Sequence, residues 1–212
     1  MLCSIADYNI AFKNPSENFQ KFLQDYKTTA PAEVEFSINE QDIQKIRENV
    51  NYNAGPLQLE VTAFYDKLLA WLPLNNAMFL HASLIEVNNT GVAFTALSGT
   101  GKSTHTGLWL KAFPDAQIIN DDKPAIRAQD DGVMVYGTPW SGKTALNLNL
   151  CVPLGGICFL ERSETNFIHE ISVPEAIPLM LEQTIRPKRP ENVERFISVM
   201  DSIYSNVKVY RM

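Results

Sequence analysis

The stretch "MFLHASLIEVNNTGVAFTALSGTGKSTHTGLWLKAFP", residues 78–114, constrains the fold more than any other part of this chain. It holds a nearly continuous β-prone run, a hairpin-type turn at "NNTG", a second β-prone run, a glycine loop, and a helical pattern stopped by Pro114. Strand, glycine loop and helix in that order are the setting in which backbone N–H groups and a helix N-terminus cradle phosphate. The helical pattern places Thr104, Leu108 and Ala112 on one face, with Trp109 and Phe113 beside them.

Two segments compete for that phosphate. "YGTPWSGKT" fits G-x-x-x-x-G-K-[ST] in full through Gly137, Gly142, Lys143 and Thr144, whereas "ALSGTGKST" has Ala96 in place of the first glycine. Context favours the imperfect match. After Thr144 the alternation of Leu146, Leu148, Leu150 and Val152 with Asn147 and Asn149 predicts a strand, so no helix begins there. Pro139 also removes an N–H that a cradle would use. In the 96–104 loop, Lys102 is placed to reach the outer phosphates and Ser103 to ligate Mg²⁺.

The strand predicted at "AQIINDD" ends in Asp121 and Asp122, where a Walker-B-type acid would lie. One carboxylate can hold Mg²⁺ while the other takes a proton from an attacking hydroxyl. Ser103 and Asp122 are the expected metal contacts, and the division of base and metal roles within the pair stays open. The turn composition of "NDDKP" is the competing reading.

The remaining sequence sets bounds. The chain has 212 residues, 45% hydrophobic and 20% charged, enough for a sizeable core. A formal charge of −6 offers no basic face for nucleic acid. Cys3, Cys151 and Cys158 form an odd set without C-x-x-C spacing, which suits a reducing compartment. The start lacks a signal-peptide pattern and no apolar run reaches membrane-span length, so a cytoplasmic protein without membrane attachment is expected. In residues 1–76, "AEVEFSI" predicts a strand, Ile43 and Ile46 mark a helix, and Leu57, Val61, Tyr65, Leu68 and Leu72 mark a longer one ended by Pro73. Later strands are expected at "GVMVYG", "GGICFLE" and "VKVYR", with helices at "VPEAIPLMLEQTI" and "PENVERFISVMDSIYS".

Taken in order, "FLHAS", a hairpin, "ALSGTGKST" and "INDD" resemble the catalytic domain of bacterial HPr kinase/phosphorylase, a core similar to the nucleotide-binding domain of PEP carboxykinase. "VYGTPWSGK" and "QTIRP" resemble a further bacterial group of HPr-kinase-like proteins, some associated with peptide-modification clusters. The likeness runs over roughly residues 77–160. It implies an α/β fold, mixed α+β in character, with a largely antiparallel mixed sheet packed with helices. The expected division is an N-terminal elaboration at 1–76 and a P-loop core at 77–212.

The resemblance implies phosphate binding by Ser98, Gly99, Thr100, Gly101, Lys102, Ser103 and Thr104. It gives Asp121 and Asp122 the base and metal contact, and places His81 near the acceptor or the acidic pair. The family's N-terminal domain and glycine-rich C-terminal signature are absent, so the likeness does not extend to HPr as substrate.

Two cationic features complete the expectations. Gly137 and Gly142 would let the second glycine turn approach the phosphates, with Trp140 packing on the site and Lys143 supplying charge; a surface hairpin is the competing reading. "RPKRP" offers Arg186 as a nucleotide contact, against a solvated loop. The expected activity is ATP- and Mg²⁺-dependent transfer of phosphate to a hydroxyl, serine first, on a protein or peptide partner. ATP could be replaced by another phosphate donor, and homo-oligomers are left open. The alternative is a nucleotide-binding regulatory or assembly module. A PEP-carboxykinase-like activity is disfavoured because no further His and Asp set is evident for Mn²⁺.

Overall fold

In the computed structural model, which describes residues 1–49, 53–184 and 190–212, the chain begins with a small sheet and three helices. β1 (Leu2–Ile5) and β2 (Tyr8–Phe12) pair antiparallel through a turn in which Ala6 and Asp7 take positive φ, and β3 (Val34–Phe36) adds parallel to β2. α1 (Glu17–Phe22) starts at Ser16, whose hydroxyl accepts from the Phe19 N–H. α2 (Glu40–Asn49) precedes α3 (Pro56–Trp71), which has Pro56 in its first turn and gives way to a short 3₁₀ turn containing Pro73.

The expected stripe on α3 divides between two environments. Leu68 and Leu72 are fully buried and Tyr65 nearly so, joined in the core by Leu59, Ala63 and Phe64, while Leu57 and Val61 remain partly exposed along a cleft. The rings of Phe12, Phe19 and Phe64 pack with centroids 4.7 to 5.6 Å apart. This cluster continues into Phe79, Tyr136 and Trp140.

The β-prone run at 77–87 breaks at Leu80 and His81 into β4 (Ala77–Phe79) and β5 (Ala82–Val87). β6 (Thr90–Thr95) returns from β5 through Asn88 and Asn89, both at positive φ as a type I′ hairpin requires. β7 (Gln117–Asp122), β8 (Ala125–Gln129), β9 (Gly132–Tyr136) and β10 (Cys151–Phe159) follow, then β11 (His169–Glu170) and β12 (Lys208–Arg211). Among the described residues the order is β4-β8-β9-β10-β6-β5-β7, with β12 beside β10 and β11 beside β12. The sheet curls because β10 serves two halves. Its start pairs antiparallel with β9, whereas it runs parallel to β6 from Leu154, with a register shift across Gly155, and parallel to β12 from Gly156.

α5 (Val173–Gln183) and α6 (Pro190–Asn206) cover one face, packing Met180, Val199 and Ile203 against Leu84, Ala93 and Ile157. α4 (Lys102–Ala112) covers the other, with Trp109 against Ile85, Phe94 and Cys158. Full burial of such side chains contributes about 1.5–3 kcal/mol each. The result is a mixed α/β fold with a curled, mostly antiparallel sheet. Among the described residues, no helix is long and apolar enough to cross a membrane.

One local expectation is corrected, and two features add to what the sequence implied. The alternating leucines after Thr144 do not form a strand: residues 144–150 are irregular, with one bridge from Asn147 to Asn120, and Leu146 and Leu148 are exposed. They lie along the edge of β7, where Leu148 N–H donates to Ile119 O and Asp121 N–H donates to Leu146 O, so no second layer covers one side of the alternation. On α4 the face with Thr104, Leu108 and Ala112 is exposed, and the helix turns Thr106 and Trp109 to the sheet, the buried Thr106 hydroxyl accepting from Ser83 Oγ on β5. β8 was not among the expected strands; its short "AIRAQ" carries too little β-prone pattern to stand out.

Candidate functional site

The 96–104 segment leaves β6 and enters α4 as its sequence context implied. Gly99 and Gly101 take φ of +79° and +118°, backbone that favours glycine. Gly101 caps α4 without a side-chain hydrogen bond, leaving first-turn N–H groups for another acceptor. Ser98, Gly99, Ser103 and Thr104 are exposed and Thr100 is half-buried, so the loop faces outward. Lys102 folds back over it, Nζ donating to Ala96 O at 2.9 Å. Burial lowers the Lys102 pKa, reinforced by Lys123 and opposed by Asp122 and Asp121. Arg162, which no sequence pattern marked, donates to Gly99 O at 2.9 Å.

The two carboxylates have different neighbours. Ser103 Oγ lies 3.3 and 3.2 Å from the Asp121 oxygens, donating to them. Asp122 instead meets Lys123, with Nζ at 2.7 Å from Oδ1, and His81, with Nε2 at 3.4 Å. The His81 contact is not an ion pair at neutral pH. Burial, then the charges of Lys123 and Lys102, bring the imidazole down to about 4 against the opposing pull of Asp122 and Gln183. Asn120 positions the acidic turn: wholly buried, it accepts from the N–H groups of Asp122 and Lys123 at 3.0 and 2.8 Å and donates to Thr138 O at 2.7 Å.

Thr138 belongs to the second glycine turn, which does reach this site. A Cβ on Gly137 would stand 1.9 Å from Leu148 O, so only glycine fits. Gly142 has φ +65°, and a Cβ there would stand 3.1 Å from Asp122 Oδ2. Trp140 is buried against Tyr65, Phe79 and Phe22, its Nε1 donating to Val61 O. Lys143 is exposed and forms no ion pair among the described residues; the lysine on the acidic pair is Lys123. In "NDDKP" the lysine carries no signal of its own beside the two carboxylates. Arg186 lies outside the described residues.

Beside this turn, a cleft of about 940 Å³ opens between α1, α3 and the segment 139–147, with Asp122 and Lys123 in its wall. Asp121 does not line it. The acidic pair is thus split, with Asp121 beside the 96–104 loop and Asp122 beside the cleft.

Mg²⁺ suits this donor set. Octahedral ligands at 2.0–2.1 Å place adjacent oxygens about 3 Å apart, near the observed Ser103–Asp121 separation. Mg²⁺ sites typically take one or two carboxylates and fill the rest with water and phosphate, so a larger protein cage is not needed.

No protein-family model matches the chain, and no curated protein matches it in sequence. A solved structure, the Hpr(Ser) kinase/phosphatase from Coxiella burnetii, is similar over 60% of this chain and 94% of its own, with 12% identity and a TM-score of 0.34. That is a distant likeness in fold, too slight to assign a family or a reacting residue.

Proposed function

We propose that the chain binds a Mg²⁺–nucleoside triphosphate, ATP first, at residues 96–104 and transfers its terminal phosphoryl group to a hydroxyl of a peptide or protein. The observation that carries this reading is the split acidic pair at the mouth of a strand–loop–helix phosphate cradle. Ser103 and Asp121 would hold Mg²⁺, which supplies neutralisation of phosphate charge. This moves the expected metal contact from Asp122 to its neighbour. Loop N–H groups and Lys102 bind the phosphates, Lys102 exchanging its Ala96 carbonyl for phosphate oxygen. Asp122 takes the acceptor proton as the acceptor oxygen bonds phosphorus and the bond to the departing nucleoside diphosphate breaks. Lys123 stays beside Asp122 and offsets charge there. His81, neutral at physiological pH, packs against Asp122 and positions it.

A second reading is favoured by the Lys123–Asp122 pair itself, since a carboxylate already engaged by a lysine at 2.7 Å suits a binding module as well as a base. Labelled ATP, Mg²⁺ and a host protein and peptide pool separate the two. Label transfer lost in Lys102→Ala and Asp122→Asn supports the kinase; ATP binding lost in Lys102→Ala but without transfer supports the module. Undiminished ATP binding by Lys102→Ala refutes both.

A further inference from the structure

Three residues of α3 at four-residue spacing, Leu57, Val61 and Tyr65, line the cleft beside Asp122, facing Phe22 and Trp140. An apolar helical stripe ordinarily enters a core. Here part of it forms the wall of an opening. The volume, about 940 Å³, is at the upper end of the roughly 300–1,000 Å³ that small-ligand sites occupy, room for several residues of chain. The charged lining residues are Lys21, Asp25, Asp122 and Lys123, equal in sign count.

A second observation is independent of the shape. The Tyr65 hydroxyl is buried and has no hydrogen-bond partner among the described residues. Tyr65 is 8% exposed, and burial raises its pKa well above the ordinary value, with the Asp122 charge acting in the same direction. A buried hydroxyl without a partner is costly, and Tyr65 lines the cleft, so a small shift of the ring toward a ligand there would complete its hydrogen bonding.

We infer that this cleft is the acceptor site, and that it takes an uncharged peptide segment whose apolar side chains lie along Leu57, Val61 and Trp140, whose serine or threonine hydroxyl reaches Asp122, and whose polar backbone meets Tyr65. The inference rests on the phosphotransfer reading for its chemistry but on the cleft for its occupant. Balanced wall charge disfavours an acidic or basic segment, which would leave unpaired charge on desolvation.

The test uses the full chain with Mg²⁺ and a non-hydrolysable ATP analogue, titrated calorimetrically with N-acetyl-Leu-Ser-Leu-amide, N-acetyl-Phe-Ser-Phe-amide and N-acetyl-Glu-Ser-Glu-amide. At least one neutral peptide binds about tenfold or more tightly than the acidic one. Thr62→Trp, which fills the cleft from its lip, weakens neutral-peptide binding at least about tenfold and leaves analogue affinity unchanged. Tyr65→Phe weakens it several-fold without lowering Tm, which keeps the test valid if Thr62→Trp fails to fold. Absence of neutral-peptide binding at millimolar concentration overturns the inference, as does equal binding of the acidic peptide or indifference to both substitutions. Peptide binding without phosphate transfer leaves the cleft assignment standing and removes the kinase. Transfer undiminished in folded Thr62→Trp does the reverse.

Discussion

Gly142→Ala tests whether the second glycine turn positions Asp122, and Gly132→Ala supplies its control. Gly142 has φ +65°, where an alanine pays a backbone cost of about 1–2 kcal/mol, and Gly132 has φ +142°, which L residues avoid more strongly, at about 1–3 kcal/mol. Around Gly132, in the β8–β9 turn, nothing lies within 4 Å of the added Cβ. At Gly142 the Cβ stands 3.1 Å from Asp122, against an ordinary contact beginning at 3.4 Å, so the carboxylate or the turn must yield by about 0.3 Å. That adds about 1 kcal/mol of overpacking. Urea unfolding should show Gly142→Ala destabilised by about 2–3 kcal/mol in all, each kcal/mol lowering Tm by about 2–4 °C in a chain of this size. A misplacement of 1 Å costs about a hundredfold in rate, so 0.3 Å at Asp122 should cost about fourfold in turnover with nucleotide affinity unchanged. Turnover in Gly142→Ala equal to that in Gly132→Ala would refute the idea that the turn is fitted to Asp122.

Other expectations follow from the same geometry. Lys123→Met should lower turnover by tenfold or more on the scale of a lost charged contact, about 1.5–3 kcal/mol, while Lys143→Met leaves turnover and nucleotide affinity within twofold; a steady-state comparison reversing that order overturns the assignment. In metal-free protein the His81 ring should titrate near pH 4, followed by proton NMR against His81→Asn. The unfolded histidine takes its proton near 6.5 and the folded one near 4, so stability should fall as pH drops through that window, by about 1–2 kcal/mol once screening of a one-third-exposed ring is allowed for. Loss of that slope in His81→Asn supports the account. Asn120→Leu strips two N–H groups of their acceptor and should destabilise by about 2–5 kcal/mol in urea unfolding, with Asn120→Asp recovering part of it.

The loop at 96–104 was legible in sequence because its evidence is local: a β-prone run, glycines where positive φ is needed, and a helical pattern within a few residues. The partition of the acidic pair was not, because it depends on contacts across the fold. Asp121 and Asp122 are adjacent letters, yet strand pleating turns successive side chains to opposite faces. One meets Ser103 at the start of α4, and the other meets Lys123, His81 and the cleft. The same dependence explains the leucines at 146 and 148, whose alternation predicts a half-buried strand only where a second layer exists to bury one side. On α3 the letters carry the apolar period but not its destination. Leu68 and Leu72 went into the core and Leu57 and Val61 to the cleft, because only the placement of Trp140, carried by a turn about 80 residues downstream, decides how far up the helix the core extends. "GTPWSGKT" has the letters of a phosphate loop, yet in the fold its glycines serve close approach: Gly137 to the Leu148 carbonyl and Gly142 to Asp122.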